Sequence, residues 1–418
     1  MKSAQPFQPI SGENDGGYGT WLGPVSDCGE RPLGRNDFFY ICNFAVRMPL
    51  SDLIIQTGKP IFVSHHGTMT AITRPVGLSD VERILEWATM SQNSVFRLRS
   101  GNDIDGAFSI PDLAVADEWG QPVRHRFRLN VTCCLYNGAT GYQLVMRYIN
   151  PVIPSVESVA LEPEIMAEMT PKQGGVILLG EVGSGKSSTL AAGLREVAAG
   201  RTPIRGNVVT YESPIEYDFE SLSSAVVTFA QTEVPINLPT FSHGSRNSLR
   251  RKPGLVMLGE LRDSETIESA TELMVTGVPL LGTAHSNSVA VAYSRMVQKF
   301  PTNLQSQAFY SLVANIHMFV SQRLVPHREW TREKPKMVCL REWQVMTDDI
   351  RARLETAGPE RHIGELRRIM NDPGNATGRS MLTTIRRHFA EGSLSVETAH
   401  QMLLTYGYHV RDLEGGNA

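Results

Sequence analysis

The residues best placed to do chemistry lie in one stretch, Gly180-Glu-Val-Gly-Ser-Gly-Lys-Ser187, which fits the pattern G-x-x-x-x-G-K-[ST]. Its flanks suit that pattern. The apolar run Gly175-Val-Ile-Leu-Leu179 reads as a buried strand, and a helical period starts at Ser187. Glycines let backbone amides turn inward on a polyphosphate, and a helix start adds partial positive charge. Gly180, Gly183, Ser184, Gly185, Lys186, Ser187 and Ser188 are therefore the candidate nucleotide contacts. Lys186 would reach the β- and γ-phosphates, and the Ser187 hydroxyl would ligate Mg²⁺.

Three further segments have the form of a strand delivering a functional side chain at its carboxyl end, where open α/β sheets bind ligands. Leu255-Val-Met-Leu258 leads to Gly259-Glu260. Gly259 stands where loops of this kind more often have an Asp, so Glu260 is the candidate for orienting and polarising the attacking water. Val208-Val-Thr-Tyr-Glu212 ends in a second acid, a candidate for activating water or contacting Mg²⁺, and Glu216 beyond it reads equally well as a solvated loop acid. Val278-Pro-Leu-Leu-Gly-Thr-Ala-His285 places His285 where it could sense a γ-phosphate. Arg246 and Arg250, four apart, would share a helix face; Arg126, Arg128 and Arg147 are the other candidates for neutralising transition-state charge.

These groups need a scaffold of several elements. Residues 1–35 are interrupted by Gly12, Gly16, Gly17, Gly19, Gly23, Gly29 and Gly34 and read as a flexible arm. Residues 36–150 mix strands and helices in an α+β pattern. Lys59–Val63 and Thr68–Thr73 read as strands around a His-His-Gly turn, and Arg124–Asn130 and Gly141–Arg147 alternate as strands do. Ser79-Asp-Val-Glu82 has the form of a capping box ahead of a helix whose face is Val81, Ile84, Leu85 and Ala88. Pro151 and Pro154 mark a hinge over 151–157, followed by alternating strands and helices of a wound α/β core over 158–325. Pro326–Pro335 reads as a loop or linker, and after a strand-like Met337–Met346 the remainder to 418 is helical.

Bulk properties narrow the function classes. A chain of 418 residues suggests two or three domains, and 40 basic against 43 acidic residues leave no global field to draw it to nucleic acid or an anionic membrane. Five cysteines without a C-x-x-C pair argue against a zinc cluster or a disulfide framework. No apolar run is long enough to span a bilayer, and Met1–Ile10 lacks a signal-peptide core, so the expectation is a cytoplasmic protein without direct membrane insertion.

The ordered segments resemble those of the hexameric secretion and pilus-retraction ATPases (PilT-like), and within them the DotB/TraJ type of type IVB secretion and conjugation systems. The pieces run from Ser51-Asp-Leu and Gly58-Lys-Pro through Arg126-Phe-Arg-Leu-Asn130 to the phosphate loop. Then come Thr210-Tyr-Glu-Ser-Pro-Ile-Glu216 as the "Asp box", Leu258-Gly-Glu-Leu-Arg-Asp263 as Walker B and Thr276–Asn287 as the "His box". Ser213 stands where many relatives have Asp, which places more weight on Glu212. The resemblance implies a PAS-like N-terminal domain, a RecA-like core, a C-terminal helical region, and a homohexamer binding ATP and Mg²⁺ between its domains. It also implies that Arg128 and Arg147 help close over the phosphates, and that the partners are secretion or conjugation components at the inner membrane. A nucleic-acid translocase on a RecA-like core and a nucleotide-switched assembly platform are the alternative readings; a small-molecule kinase leaves much of the chain unexplained.

Overall fold

The computed structural model describes residues 32–413 apart from 49, 66–67, 117–121, 150–151, 220–221, 223, 332–333 and 335. The arm up to residue 31 and the His66-Gly67 turn thus lie outside the described residues. The chain divides into two compact units, one up to Val152 and one from Ile153 onward.

In the N-terminal unit, strands β1 (Asp52–Gln56), β2 (Phe62–His65), β3 (Thr68–Ala71), β4 (Ile104–Ala116), β5 (Pro122–Tyr136) and β6 (Ala139–Ile149) form one sheet in the order β3-β2-β1-β6-β5-β4. All its pairings are antiparallel. Alternation decides which face is covered: Phe127, Leu129 and Val131 are buried on β5, as are Leu53 and Ile55 on β1. Helices α1 (Arg35–Ala45), α2 (Leu78–Thr89) and α3 (Ser94–Arg99) share that core through Phe38 and Ile41, Val81, Ile84, Leu85 and Ala88, and Leu98. Full burial of Ile84 or Leu85 is worth about 1.5–3 kcal/mol each.

One local expectation is corrected here. Helix α2 starts at Leu78 behind Gly77, so Ser79 is not its cap. The Asp80 carboxylate instead accepts the Leu33 N–H at 2.9 Å and pairs with Arg83, which ties the chain just before α1 to α2.

The C-terminal unit is built on a sheet of eight strands, in the order β14-β13-β12-β7-β11-β10-β8-β9. They are β7 (Gly175–Leu179), β8 (Gly206–Glu212), β9 (Val227–Glu233), β10 (Pro253–Leu258), β11 (Leu280–Ala284), β12 (Ile316–Pro326), β13 (Met337–Val345) and β14 (Gly378–Arg379). The pairings from β12 through β9 are parallel. Every residue of β7 and β11 is buried, as a parallel sheet covered on both faces requires. Ile177 and Leu179 enter one core and Val176 and Leu178 the other. The covering helices are α4 (Pro163–Glu168), α5 (Lys186–Ala198), α6 (Phe241–Ser248), α7 (Ser264–Val275), α8 (Ala292–Val297), α9 (Gln305–Asn315) and α10 (Asp348–Met370), with α11 (Met381–Ala390) and α12 (Val396–Thr405) following. Gly358, at φ 66°, breaks the regular course of α10 just before Pro359.

The sheet does not stop near Val325. β13 pairs antiparallel with β12, so 327–336 is the connection of a hairpin rather than a linker between bodies. The hairpin carries a buried ion pair: Arg341, 1% exposed, meets Glu162 at 3.0 Å and also donates to the carbonyls of Ala160 and Val159 at 2.8 Å. Removing one partner leaves a buried charge uncompensated, so Arg341→Ala is expected to lower stability by about 3–5 kcal/mol. Urea unfolding of the nucleotide-free protein checks this; a loss below about 1 kcal/mol, the range of an exposed pair, would contradict it.

Candidate functional site

The candidate site lies at the carboxyl ends of β7, β8, β10 and β11, and the phosphate loop is its centre. Buried β7 runs into Gly180, and α5 begins at Lys186 behind Gly185, whose φ of 85° makes it a left-handed cap. A side chain at Gly180 (φ 147°) would stand 2.5 Å from the Gln322 carbonyl and 2.6 Å from Ser184 Oγ, so this corner admits only glycine. At Gly183 (φ 79°) the requirement is conformational, because the space beside it is open.

Lys186 Nζ donates to the carbonyls of Gly180 and Glu181, both at 2.8 Å, so the ammonium lies over the loop it would help to fill. Burial pushes its pKa below the ordinary value, while Glu260, Glu216 and Glu181 pull it back up. Ser184 Oγ is buried with no hydrogen-bond partner among the described residues. An ammonium resting on carbonyls, an orphaned hydroxyl and open space beside Gly183 fit a polyphosphate. Gly183, Ser184, Gly185, Lys186 and Ser187 are the residues that could hold it, with Ser187 the hydroxyl available to a metal. Ser188, also expected to contact nucleotide, has its hydroxyl 2.7 Å from that of Tyr217.

Glu260 and His285 meet, with Glu260 Oε1 and His285 Nε2 3.2 Å apart. Both line a cavity of about 500 Å³ together with Gly180, Glu181, Arg262 and Asn287. Gly259 has a steric reason: its N–H donates to the Tyr211 carbonyl at 2.7 Å, and a Cβ there would lie 3.2 Å from the Glu212 backbone. The close β8–β10 approach thus disfavours the Asp that such strands often carry. The Thr283 hydroxyl donates to the Gly259 carbonyl, which links the strand end that delivers Glu260 to the strand that delivers His285.

Other expected groups lie elsewhere. Glu212 is 6% exposed, and Oε1 accepts the Thr210 hydroxyl at 2.6 Å and the Gln231 amide at 3.0 Å. It does not line the cavity where Glu260 and His285 meet. Arg246 and Arg250 do not share a helix face, because α6 ends at Ser248 and Arg250 lies in a 3₁₀ turn; Arg246 pairs with Glu265 at 2.8 Å. Arg128 and Arg147 are in the N-terminal unit, directly opposite each other on β5 and β6, and Arg147 pairs with Asp52 on β1 at 2.9 Å. Sequence reasoning missed Gln322, whose amide donates to the Ser184 carbonyl at 2.7 Å from 138 residues away. Only its place on a buried strand beside β7 could have pointed to it.

A family model described as "Type II/IV secretion system protein" matches residues 124–371, which span the phosphate loop, Glu260 and His285. The chain belongs to the type II/IV secretion system protein family. It is 29% identical over 277 residues to the type IV pilus ATPase PilU of Pseudomonas aeruginosa, covering 66% of this chain and 67% of that one. Among solved structures it resembles the Legionella pneumophila ATPase DotB, with TM-score 0.78, 30% identity and coverage of 90% of this chain and 97% of that one. It also resembles the pilus retraction motor PilT with bound ADP, with TM-score 0.71, 25% identity and coverage of 87% and 96%. The chain is accordingly a secretion-type ATPase of mixed α/β fold with a RecA-like core.

Removing the Lys186 ammonium takes away the cation nearest the loop carbonyls. Lys186→Ala is expected to weaken ATP binding at least about 100-fold, or about 2.8 kcal/mol. Titration calorimetry with a slowly hydrolysed ATP analogue measures it; affinity within threefold of the parent protein would remove Lys186 from the binding site.

Proposed function

We propose that this protein is a Mg²⁺-dependent ATPase motor that works as a hexameric ring in the cytoplasm and energises a type IVB secretion or conjugative transfer system. ATP binding and cleavage shift its two units against each other, so that deformation of the ring does work on inner-membrane components of the machine. The observation that carries this reading is the Glu260–His285 pair, which lines one cavity with Gly180 and Glu181 at the start of the phosphate loop. A loop alone would hold nucleotide; a carboxylate and an imidazole beside it supply the groups that cleavage needs.

In this reading Glu260 orients and polarises the attacking water, and His285 senses the γ-phosphate and holds Glu260 in place. Ser187 would hold Mg²⁺, which would supply positive charge to the phosphate groups. Glu212, bonded to Thr210 and Gln231, would be the second carboxylate available for activating water or contacting Mg²⁺. Arg128 and Arg147 supply positive charge to the nucleotide, from the same subunit or a neighbour. Their placement supports this, because like charges opposite each other on a sheet are unfavourable, and among the described residues Asp52 pairs with Arg147. The likeness to DotB supports the type IVB assignment. No helix among the described residues is long and apolar enough to cross a membrane, so attachment to the envelope would run through partner proteins.

Glu260→Gln is expected to bind ATP as the parent does while its turnover falls about 100-fold or more. Full turnover in that variant, in a steady-state phosphate-release assay, would remove the catalytic assignment. The ring predicts in addition that ATPase rate per subunit rises with protein concentration as active sites are completed by neighbours. A rate per subunit that stays flat across the concentration at which light scattering detects assembly would contradict it.

A further inference from the structure

The β12–β13 hairpin touches the candidate site from both faces. Its register sets Ser321 opposite Glu342 and Gln322 opposite Arg341, and alternation sends the two pairs to opposite sides of the sheet. All four are buried, none more than 4% exposed. On one side, Gln322 Nε2 donates to the Ser184 carbonyl at 2.7 Å, and Gln322 Oε1 accepts the Thr189 hydroxyl at 3.0 Å. Thr189 Oγ1 in turn accepts from Arg341 Nη2 at 3.4 Å, and Arg341 is anchored on Glu162. One amide thus spans the phosphate loop and the first turn of α5, backed by a buried ion pair.

On the other side, Glu342 Oε1 accepts the Val289 N–H at 2.7 Å, and the Ser321 hydroxyl donates to the Asn287 carbonyl at 3.4 Å. Both partners lie in the segment that follows His285. The second oxygen of Glu342 accepts the Met381 N–H at the start of α11, 3.2 Å away. Arg367 of α10 and Tyr406 and Tyr408 beyond α12 complete the charged and titratable surroundings of the carboxylate. Burial pushes its pKa up to about 7, against the pull of the two N–H donors and Arg367. The ionised carboxylate serves both N–H groups; a carboxamide serves one and turns an NH₂ group toward the other.

We infer that Gln322 and Glu342 are positioning residues for ATP cleavage: the hairpin grips the phosphate loop with Gln322 and the His285 loop with Glu342, and so sets the spacing between the γ-phosphate and the Glu260–His285 pair. The inference rests on the ATPase reading above and adds to it the frame that holds the two loops in register. Loops carry their functional groups on backbone that few contacts fix, and a misplacement of about 1 Å at a reacting centre costs about 100-fold in rate. Two buried side chains on adjacent strands of one sheet supply the missing stiffness.

The two grips separate kinetically. Glu342→Gln is expected to lower kcat about tenfold while ATP affinity, measured independently with a slowly hydrolysed analogue, stays within twofold. Thr189→Val, which removes the hydroxyl that Gln322 Oε1 accepts, and Gln322→Met are expected to weaken ATP affinity about tenfold. Ser321→Ala, which removes only the hydrogen bond to Asn287, replaces Glu342→Gln if that variant fails to fold, and is expected to lower kcat about threefold. A second readout is the pH profile of kcat. The limb that rises as Glu342 ionises near pH 7 should be present in the parent protein and absent from Glu342→Gln. Parent protein that hydrolyses ATP, alongside folded variants whose kcat, affinity and pH profile match it within twofold, would overturn this inference and leave the ATPase reading intact. Parent protein that hydrolyses no ATP would overturn that reading, and this inference with it.

Discussion

The structure depends on one constraint: a triphosphate needs many donors converging on a small volume, and backbone amides can converge only where the chain reverses sharply. The reversal from β7 into α5 meets it with glycines at positive φ and with an ammonium, that of Lys186, 2.8 Å from two carbonyls of the same loop. Such a loop strains against its surroundings unless they are rigid. The surroundings are a strand buried along its whole length between two parallel neighbours, which is among the stiffest supports a protein offers.

The rest of the C-terminal unit follows from that placement. Parallel strands point their carboxyl ends the same way, so β8, β10 and β11 bring Glu212, Glu260 and His285 to the edge that already carries the loop. Position alone does not make the three equivalent. Glu260 meets His285 in the lining of a cavity, whereas Glu212 is closed in by Thr210 and Gln231. Strand ends nominate candidates, and the hydrogen bonds around each side chain sort them.

That distinction also decides how much was legible in the sequence. The phosphate loop, Glu260, His285 and the helix face of Val81, Ile84, Leu85 and Ala88 are written in short contiguous patterns, because each is the product of one strand, one turn or one helical period. Ser79 misled because a capping box is defined by side chains that also serve tertiary contacts, and the Glu82 carboxylate is taken by Arg99 and Tyr142. The hairpin of β13 on β12 was hidden behind a polar connection that composition cannot tell from a linker. Gln322 and Arg341 were out of reach for a different reason: the partners they hold are more than 130 residues away, and no local pattern encodes a hydrogen bond across the sheet.

The central claim is that the turn between β7 and α5 is where this protein grips ATP. The most direct measurement is a crystal structure with Mg²⁺ and a non-hydrolysable ATP analogue. The account predicts phosphates within hydrogen-bonding distance of the amides of Gly183 to Ser187, with Lys186 Nζ moved from the carbonyls of Gly180 and Glu181 onto the β- and γ-oxygens. An analogue bound elsewhere, with Lys186 still resting on those two carbonyls, would contradict it.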